Sequence, residues 1–189
     1  MVKKIICIRH GQATHNVDHK IRGSIAYLDP IHKDSSLVKQ GELEAKNLNS
    51  QVLNMDFDII LVSPLTRTIQ TCLLATKNVK KKRKALECVR EYPCRLHTPN
   101  NRKSISLLKK KYETIDFSEI LDDDDPLWND INKETIKELD LRIDDFKNWV
   151  RNRDEKTFIL FSHASFISRF LGYNKYQHIK HCYPYIVEI

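Results

Sequence analysis

The sequence lacks any long apolar run. No stretch approaches the roughly 20 consecutive apolar residues that a membrane-spanning helix needs. Residues 1–4 lead directly into a predicted strand, without the apolar region and small-residue cleavage site of a signal peptide. We therefore expect a protein that neither crosses a membrane nor enters the secretory pathway.

Cysteines are few, and their pattern indicates neither disulfide bridges nor a metal site. There are 5, an odd number, and no two have the Cys-x-x-Cys spacing. This argues against a disulfide framework and against a zinc site. Cys7 and Cys72 fall in apolar segments, where buried thiols are expected. A reducing cytoplasm is the expected compartment.

Internal repeats, low-complexity tracts and linkers are also missing. The 189 residues are 41% hydrophobic and 30% charged, an ordinary globular balance. A chain of this length can bury a sizeable core. We expect one domain over residues 1–189, and the sequence leaves the oligomeric state open.

Acidic residues do not outnumber basic ones: the net charge is +7 and the pI is about 9.1. Such a balance suits either a nucleic-acid partner or an anionic small substrate. The basic residues are scattered except for the run at residues 80–84. That run could act in nuclear import or contact an anion, but a solvated connection is favoured. A nucleic-acid partner is accordingly not expected.

The most informative segment is an apolar run that ends in charge. Residues 5–8 predict a buried strand, and Arg9, His10 and Gly11 follow at its carboxyl end. Open α/β sheets bind their ligands at that end. A guanidinium grips two phosphate oxygens, and its charge favours an unprotonated neighbouring imidazole. Phosphate chemistry is therefore indicated, although for an isolated motif a solvated strand end is the favoured interpretation.

A second strand carries a comparable ending. Residues 58–62 predict a buried strand, and Pro64 suits the first turn of a helix that Ser63 could cap. Arg67 would then lie in that first turn, where unsatisfied N–H groups attract anions. The alternative is a surface arginine on an amphipathic helix.

The third predicted strand, residues 84–89, ends before Arg90 and Glu91. A bound phosphate would raise the pKa of Glu91 and nearby arginines would lower it. Glu91 is therefore either a proton donor to a leaving oxygen or a residue that orients an arginine. Glu87 lies on the same segment and is the rival candidate.

The fourth predicted strand, residues 157–161, ends in Ser162 and His163. Imidazole thus occurs at two strand ends. Helical periodicity marks residues 41–55, 104–112 and 134–153, a final edge strand is predicted at 185–189, and residues 17–40 are expected to be an irregular polar loop. The aspartates of residues 122–125 could hold a divalent cation, but a solvated loop is favoured.

Together these motifs resemble the histidine phosphatase superfamily (branch 1), also described as phosphoglycerate mutase-like. Arg9-His10-Gly11 with Asn16 is similar to its first signature, and the segment from Ser63 through Arg67 is similar to its second. Glu91 matches the acid and His163 the second histidine. The chain most resembles the phosphoglycerate mutase-like proteins of plants and fungi, in the segments at 89–91, 102–105, 115–117 and 122–128.

The resemblance implies a three-layer α/β/α sandwich with a mostly parallel central sheet. It also implies transfer through a phosphohistidine on His10, with Glu91 as proton donor and no metal or cofactor. The remaining implied phosphate ligands are Arg9, Arg67, His163 and Asn16. Arg102 is a weaker candidate for contacting the rest of a phosphorylated small-molecule substrate.

Two departures from the family pattern are visible. Tyr92 and Pro93 follow the acid where a glycine is often found a few residues on, and Ala164 follows His163 where glycine is common. The short chain favours a phosphatase over a cofactor-dependent mutase. A mutase and a non-catalytic phosphate-binding module remain as alternatives.

Overall fold

The computed structural model describes residues 2–173 and 177–189 and is built on a five-stranded sheet. The strand order is β3-β2-β4-β1-β5. Neighbouring strands are parallel except for β5, which runs antiparallel to β1 at one edge. The strands are β1 Lys4–Arg9, β2 Ile59–Val62, β3 Arg83–Ala85, β4 Thr157–Ser162 and β5 Pro184–Glu188.

The described residues form six α-helices, of which five pack on the sheet, and four short 3-10 helices lie in the connections. The α-helices are α1 Thr14–Arg22, α2 Lys39–Leu53, α3 Thr66–Ala75, α4 Ile105–Lys111, α5 Ile136–Arg151 and α6 Ala164–Phe170. The 3-10 helices are Gly23–Tyr27, Pro30–His32, Glu87–Val89 and Thr98–Asn100. No helix in these ranges is long and apolar enough to cross a membrane.

Alternation along the strands divides the core into two. Ile6 and Ile8 point to one face, where they pack with α2, α3 and α4. Ile5 and Cys7 point to the other, where they pack with α5 and α6. Successive strand residues face opposite sides, so each buried strand supplies both layers. The predicted three-layer α/β/α architecture is confirmed.

The first polar segment is helical rather than irregular. The expectation of a loop over residues 17–40 was wrong, because α1 runs through Thr14–Arg22 and the two 3-10 helices follow it. Among the residues of α1, His15 is the buried one. A helix with so little apolar surface leaves no periodic pattern in the sequence.

Helix α3 begins two residues later than predicted, and Ser63 does not cap it. The cap comes from a distant residue: the buried Asp34 accepts hydrogen bonds from the Thr66 amide at 2.8 Å and the Thr66 hydroxyl at 2.5 Å. Ser63 instead contacts His163. Asp34 has a positive φ of 46°, which aspartate tolerates better than most residues.

The third strand is shorter than predicted. It ends at Ala85, and the Leu86 amide makes a last bond to the Val62 carbonyl at 3.0 Å. Residues Glu87–Val89 then form a 3-10 turn that brings Arg90 and Glu91 to the carboxyl edge of the sheet. Part of the basic run belongs to this edge strand. Residues 80–82 precede the strand and are exposed, whereas Lys84 lies in the strand and pairs with Asp116 at 2.9 Å.

Two glycines let α2 approach the loop after β1. A Cβ on Gly41 would lie 2.1 Å from the Gln12 carbonyl oxygen, and one on Gly11 would lie 2.4 Å from the Gly41 carbonyl oxygen. Real Cβ atoms do not approach this closely, so the two backbones touch only because both residues are glycine. The contact fixes the chain immediately after His10.

Candidate active site

His10 lies at the end of β1 with one ring nitrogen committed and the other facing a guanidinium. Its Nδ1 donates to the Gly11 carbonyl at 2.7 Å, so Nε2 carries a lone pair. Arg67 Nε donates to that lone pair at 3.3 Å. Burial lowers the pKa of His10 well below its usual value, and the charges of Arg67, His163 and Arg9 lower it further. His10 is therefore a neutral base.

Arg67 extends from the first turn of α3 and is fully buried. Its Nη1 donates to the Pro99 carbonyl at 2.6 Å and its Nη2 to the Asn100 side-chain oxygen at 2.7 Å. Burial lowers the pKa of Arg67 to about 10, against the opposing attraction of Glu91 and Asp34. The guanidinium stays charged at neutral pH, and these two hydrogen bonds hold it beside His10.

Arg9 and His163 are the other basic side chains that surround His10. The His163 ring centroid is 5.2 Å from that of His10, and its Nε2 bonds the Ser63 hydroxyl at 2.8 Å. Arg9 Nη1 donates to the Ile179 carbonyl at 2.8 Å. His163 Nδ1 and Arg9 Nε are buried without a hydrogen-bond partner in the described part of the chain. Such atoms are unfavourable unless something binds them, and an anion could.

Glu91 enters the site beside the start of α6. Its Oε1 accepts backbone hydrogen bonds from Tyr92 at 2.8 Å, Ser165 at 3.1 Å and Phe166 at 3.3 Å. Glu91 is half-buried and lines the cavity next to His10. The rival Glu87 is absent from that lining, because its carboxylate pairs with the guanidinium of Arg90 at 3.0 Å.

A cavity of about 390 Å³ opens over Arg9, His10 and Glu91. Its outer wall includes Tyr27 and His97, whose rings stack with centroids 4.8 Å apart and an interplanar angle of 7°. Lys133 also reaches the cavity. Burial, and secondarily the charge of Lys133, lower the pKa of His97 to about 4. This part of the wall therefore presents two stacked neutral rings and one lysine.

Sequence reasoning did not find four other residues in or around this site. His15 and Asn100 line the cavity, and His181 Nδ1 donates to the His10 carbonyl at 2.5 Å. Asp34 caps the helix that carries Arg67. His15 lies next to Asn16 in the first motif, and that position was the available signal. Asp34, Asn100 and His181 lie in segments without a motif, and only the folded chain brings them close.

Arg102 lies outside this cavity and its guanidinium is bound to other partners, which argues against the predicted contact with substrate. Its buried guanidinium donates to the carbonyls of Asp122, Asp123 and Asp124 at 2.7–2.8 Å and also to Glu87. It does not line the cavity. The reason is local: three consecutive carbonyls of the acidic loop converge on it.

Residues 122–124 are exposed, as expected of a solvated loop, but the loop is also fixed by contacts of its carboxylates. Asp125 accepts two hydrogen bonds from the buried Arg90, both at 2.7 Å. Asp123 Oδ1 accepts from the Ser106 amide at 2.6 Å in the first turn of α4. Within residues 2–173 and 177–189, no group of three or more His, Cys, Asp or Glu side chains is arranged to hold a metal ion.

The structure thus brings six of the seven sequence-predicted residues together at the carboxyl edge of the sheet, either lining the cavity with His10 or contacting the His10 ring. They are Arg9, His10, Asn16, Arg67, Glu91 and His163. Their placement suits phosphate binding and transfer, and their individual chemical roles stay predictions.

Comparison with known proteins identifies the family of the chain. The chain is 30% identical over 196 residues to phosphoglycerate mutase-like protein 1 of Arabidopsis thaliana, covering 87% of this chain and 69% of that protein. Its fold is similar to a phosphoglycerate mutase from Bacillus anthracis, with a TM-score of 0.67, 17% identity, and coverage of 100% and 88%. It is also similar to the alpha-ribazole phosphatase from Shigella flexneri, with a TM-score of 0.60, 19% identity, and coverage of 89% and 80%. The family model of the histidine phosphatase superfamily (branch 1) matches residues 5–184, and the chain belongs to that superfamily.

Proposed function

We propose that this protein is a phosphatase that hydrolyses phosphomonoesters through a phosphohistidine on His10 and needs no metal. The observation that carries the proposal is the state of the His10 ring. Nδ1 donates to a carbonyl, Nε2 keeps its lone pair facing Arg67, and burial together with the surrounding charges disfavours protonation. An imidazole in this state is a nucleophile at neutral pH.

The reaction follows from the neighbours of that nitrogen. The Nε2 lone pair forms a bond to phosphorus while the bond from phosphorus to the ester oxygen breaks. Arg67 and Arg9 stabilise the charge on the phosphoryl oxygens, the task that a metal performs in other phosphoryl-transfer sites. To accept the phosphoryl group, Nε2 exchanges its 3.3 Å contact with Arg67 for the new bond.

Glu91 handles the protons in both halves of the reaction. Its carboxylic acid gives a proton to the leaving oxygen, and the resulting carboxylate takes one from the water that attacks the phosphohistidine. Phosphate leaves and His10 is free again. Glu91 and Tyr92 are partly exposed, so water reaches the leaving-group side. That access favours hydrolysis over transfer to a second hydroxyl.

A labelling experiment tests the proposal. The protein is incubated with a radiolabelled acyl phosphate in the presence of EDTA, and denatured samples are treated with acid or base. We expect label that is lost in acid and stable in base on the wild type and on His178→Ala, a variant at an exposed histidine. His10→Ala should carry no label and should lose turnover by a factor on the order of 10⁶.

Three results would overturn the proposal. One is label that persists on His10→Ala. Another is label and turnover that require added magnesium after EDTA treatment. The third is return of the phosphoryl group mainly to an added alcohol acceptor instead of to water.

A further inference from the structure

His15 is a buried histidine that the proposed reaction does not use. It lies in α1 at 5% exposure and lines the cavity, with its ring centroid 6.1 Å from that of His10. Both ring nitrogens have partners: Nδ1 lies 2.5 Å from the Ser35 hydroxyl and Nε2 lies 2.9 Å from Asn16 Nδ2. An imidazole with two fixed partners beside a nucleophile has a defined orientation and a defined tautomer.

The tautomer follows from the other end of the Asn16 amide. Asn16 Oδ1 accepts a hydrogen bond from the Ala13 amide at 3.0 Å. The atom that faces His15 is therefore the NH₂ group, which only donates. His15 Nε2 must accept, so the proton of the neutral ring is on Nδ1 and points to Ser35. The reverse tautomer would place two donors 2.9 Å apart.

The surroundings keep His15 neutral. Burial lowers its pKa well below the usual value, and the positive charge of Arg67 adds to the effect. A protonated ring would present N–H groups on both sides and would repel the Asn16 amide. The buried position next to the arginines therefore preserves the acceptor that Asn16 needs.

We infer that His15 is a positioning residue for Asn16. Its Nε2 accepts a hydrogen bond from one N–H of the Asn16 amide, and this directs the second N–H toward a phosphoryl oxygen. The inference rests on the proposed function, since Asn16 has a phosphoryl group to bind only if the site is used in that way. His15 itself does not touch the reacting atoms. Its effect on turnover passes through Asn16.

Two substitutions of His15 separate the acceptor from the rest of the ring. In His15→Gln the amide oxygen can reach the position of Nε2 and accept from Asn16. In His15→Asn the shorter amide can bond Ser35 but not Asn16. Each is made alone and together with Asn16→Ala, and kcat and KM are measured with para-nitrophenyl phosphate. Ile21→Ala, at an exposed position of the same helix, is the control.

We expect Asn16→Ala and His15→Asn each to lower kcat/KM by about 10-fold, the scale of one hydrogen bond to a charged group. His15→Asn should cost nothing further in the Asn16→Ala background, and His15→Gln should recover most of the loss. Independent, multiplying losses in the double variant would overturn the inference. So would equal damage from the two His15 substitutions in proteins with unchanged thermal unfolding.

NMR on the ¹⁵N-labelled wild type tests the tautomer without any substitution. His15 Nε2 should show the chemical shift of an unprotonated ring nitrogen and Nδ1 that of a protonated one. The opposite tautomer would overturn the inference. If His10 fails to become phosphorylated, the proposed function fails, while the NMR result still decides how Asn16 is oriented.

Discussion

Glu91 accepts its three backbone hydrogen bonds on one carboxyl oxygen, which leaves Oε2 for a proton that it can donate. An alkyl alcohol needs that proton to leave, whereas a nitrophenolate leaves without it. Glu91→Gln should therefore slow hydrolysis of an alkyl phosphate about 10²-fold more than that of para-nitrophenyl phosphate. Steady-state rates on the two substrates provide the measurement.

Glu87→Gln is the matched control for that substitution. The Glu87 carboxylate is held by Arg90 and Arg102 and does not reach the cavity. Its loss should lower the free energy of unfolding without changing the ratio between the two substrates. If Glu91→Gln slows both substrates equally, Glu91 only positions an arginine, and the proton comes from another group.

Between elements, the contact of α2 with the loop after β1 gives a prediction in which two effects have opposite signs. Gly41 lies in the first turn of a helix, where alanine is normally preferred by about 1 kcal/mol. A Cβ there would meet the Gln12 carbonyl at 2.1 Å. Overpacking costs about 1–3 kcal/mol, so Gly41→Ala should destabilise the protein. Urea unfolding measures the change.

The control is Asn47→Ala, at an exposed position of the same helix. It should raise the free energy of unfolding slightly, because alanine has the higher helix propensity and meets no neighbour. Gly41→Ala should also reduce turnover, since the loop that it displaces fixes Gly11 and thereby His10. A Gly41→Ala protein as stable as Asn47→Ala would show that α2 moves away at little cost.

The strands and most helices could be predicted because burial leaves a pattern in the sequence. Residues 5–8, 59–62 and 158–161 are apolar runs, and the structure places a strand at each. Helix α1 could not be predicted, because its outer face is exposed and its one buried residue is a histidine. The start of α3 depends on Asp34, which is distant in sequence.

The candidate site could be predicted in part, because several of its residues lie at or directly after the ends of buried strands. Arg9, His10 and His163 do so, and Arg67 and Glu91 follow in the next turn. Arg102 shows where this reasoning stops. A basic residue near a motif can point to a ligand or be buried among backbone carbonyls, and only the path of the acidic loop decides.

At the scale of the whole molecule, depressed histidine pKa values make stability depend on pH. They lie well below 6.5 for three buried rings and at about 4 for two others, the residues being His10, His15, His163, His97 and His181. Below pH 6.5 the unfolded chain takes up protons that the folded protein does not. The free energy of unfolding should therefore fall as the pH drops from 6.5 toward 4.

Each such imidazole contributes a slope of at most about 1.4 kcal/mol per pH unit in that window. Urea unfolding at several pH values between 7.5 and 4.5 measures the slope. His181→Asn is the matched variant, because an amide N–H can replace the bond from Nδ1 to the His10 carbonyl while no longer titrating. It should flatten the curve. Equal stability at pH 7.5 and pH 5 would contradict the prediction.

The position of β1 in the sheet has a consequence for the order of assembly. This strand pairs with β4 on one side and β5 on the other, so its partners come from residues 157–188. On a ribosome, β1 is synthesised well before either partner strand, so both of its edges stay uncovered until residues 157–188 have emerged. Contacts of such long sequence separation form slowly, and until they form, an apolar strand with two open edges is exposed to aggregation. The candidate site residues Arg9 and His10 are therefore synthesised long before the strands that hold them in place, and β1 is a segment on which chaperones have time to act.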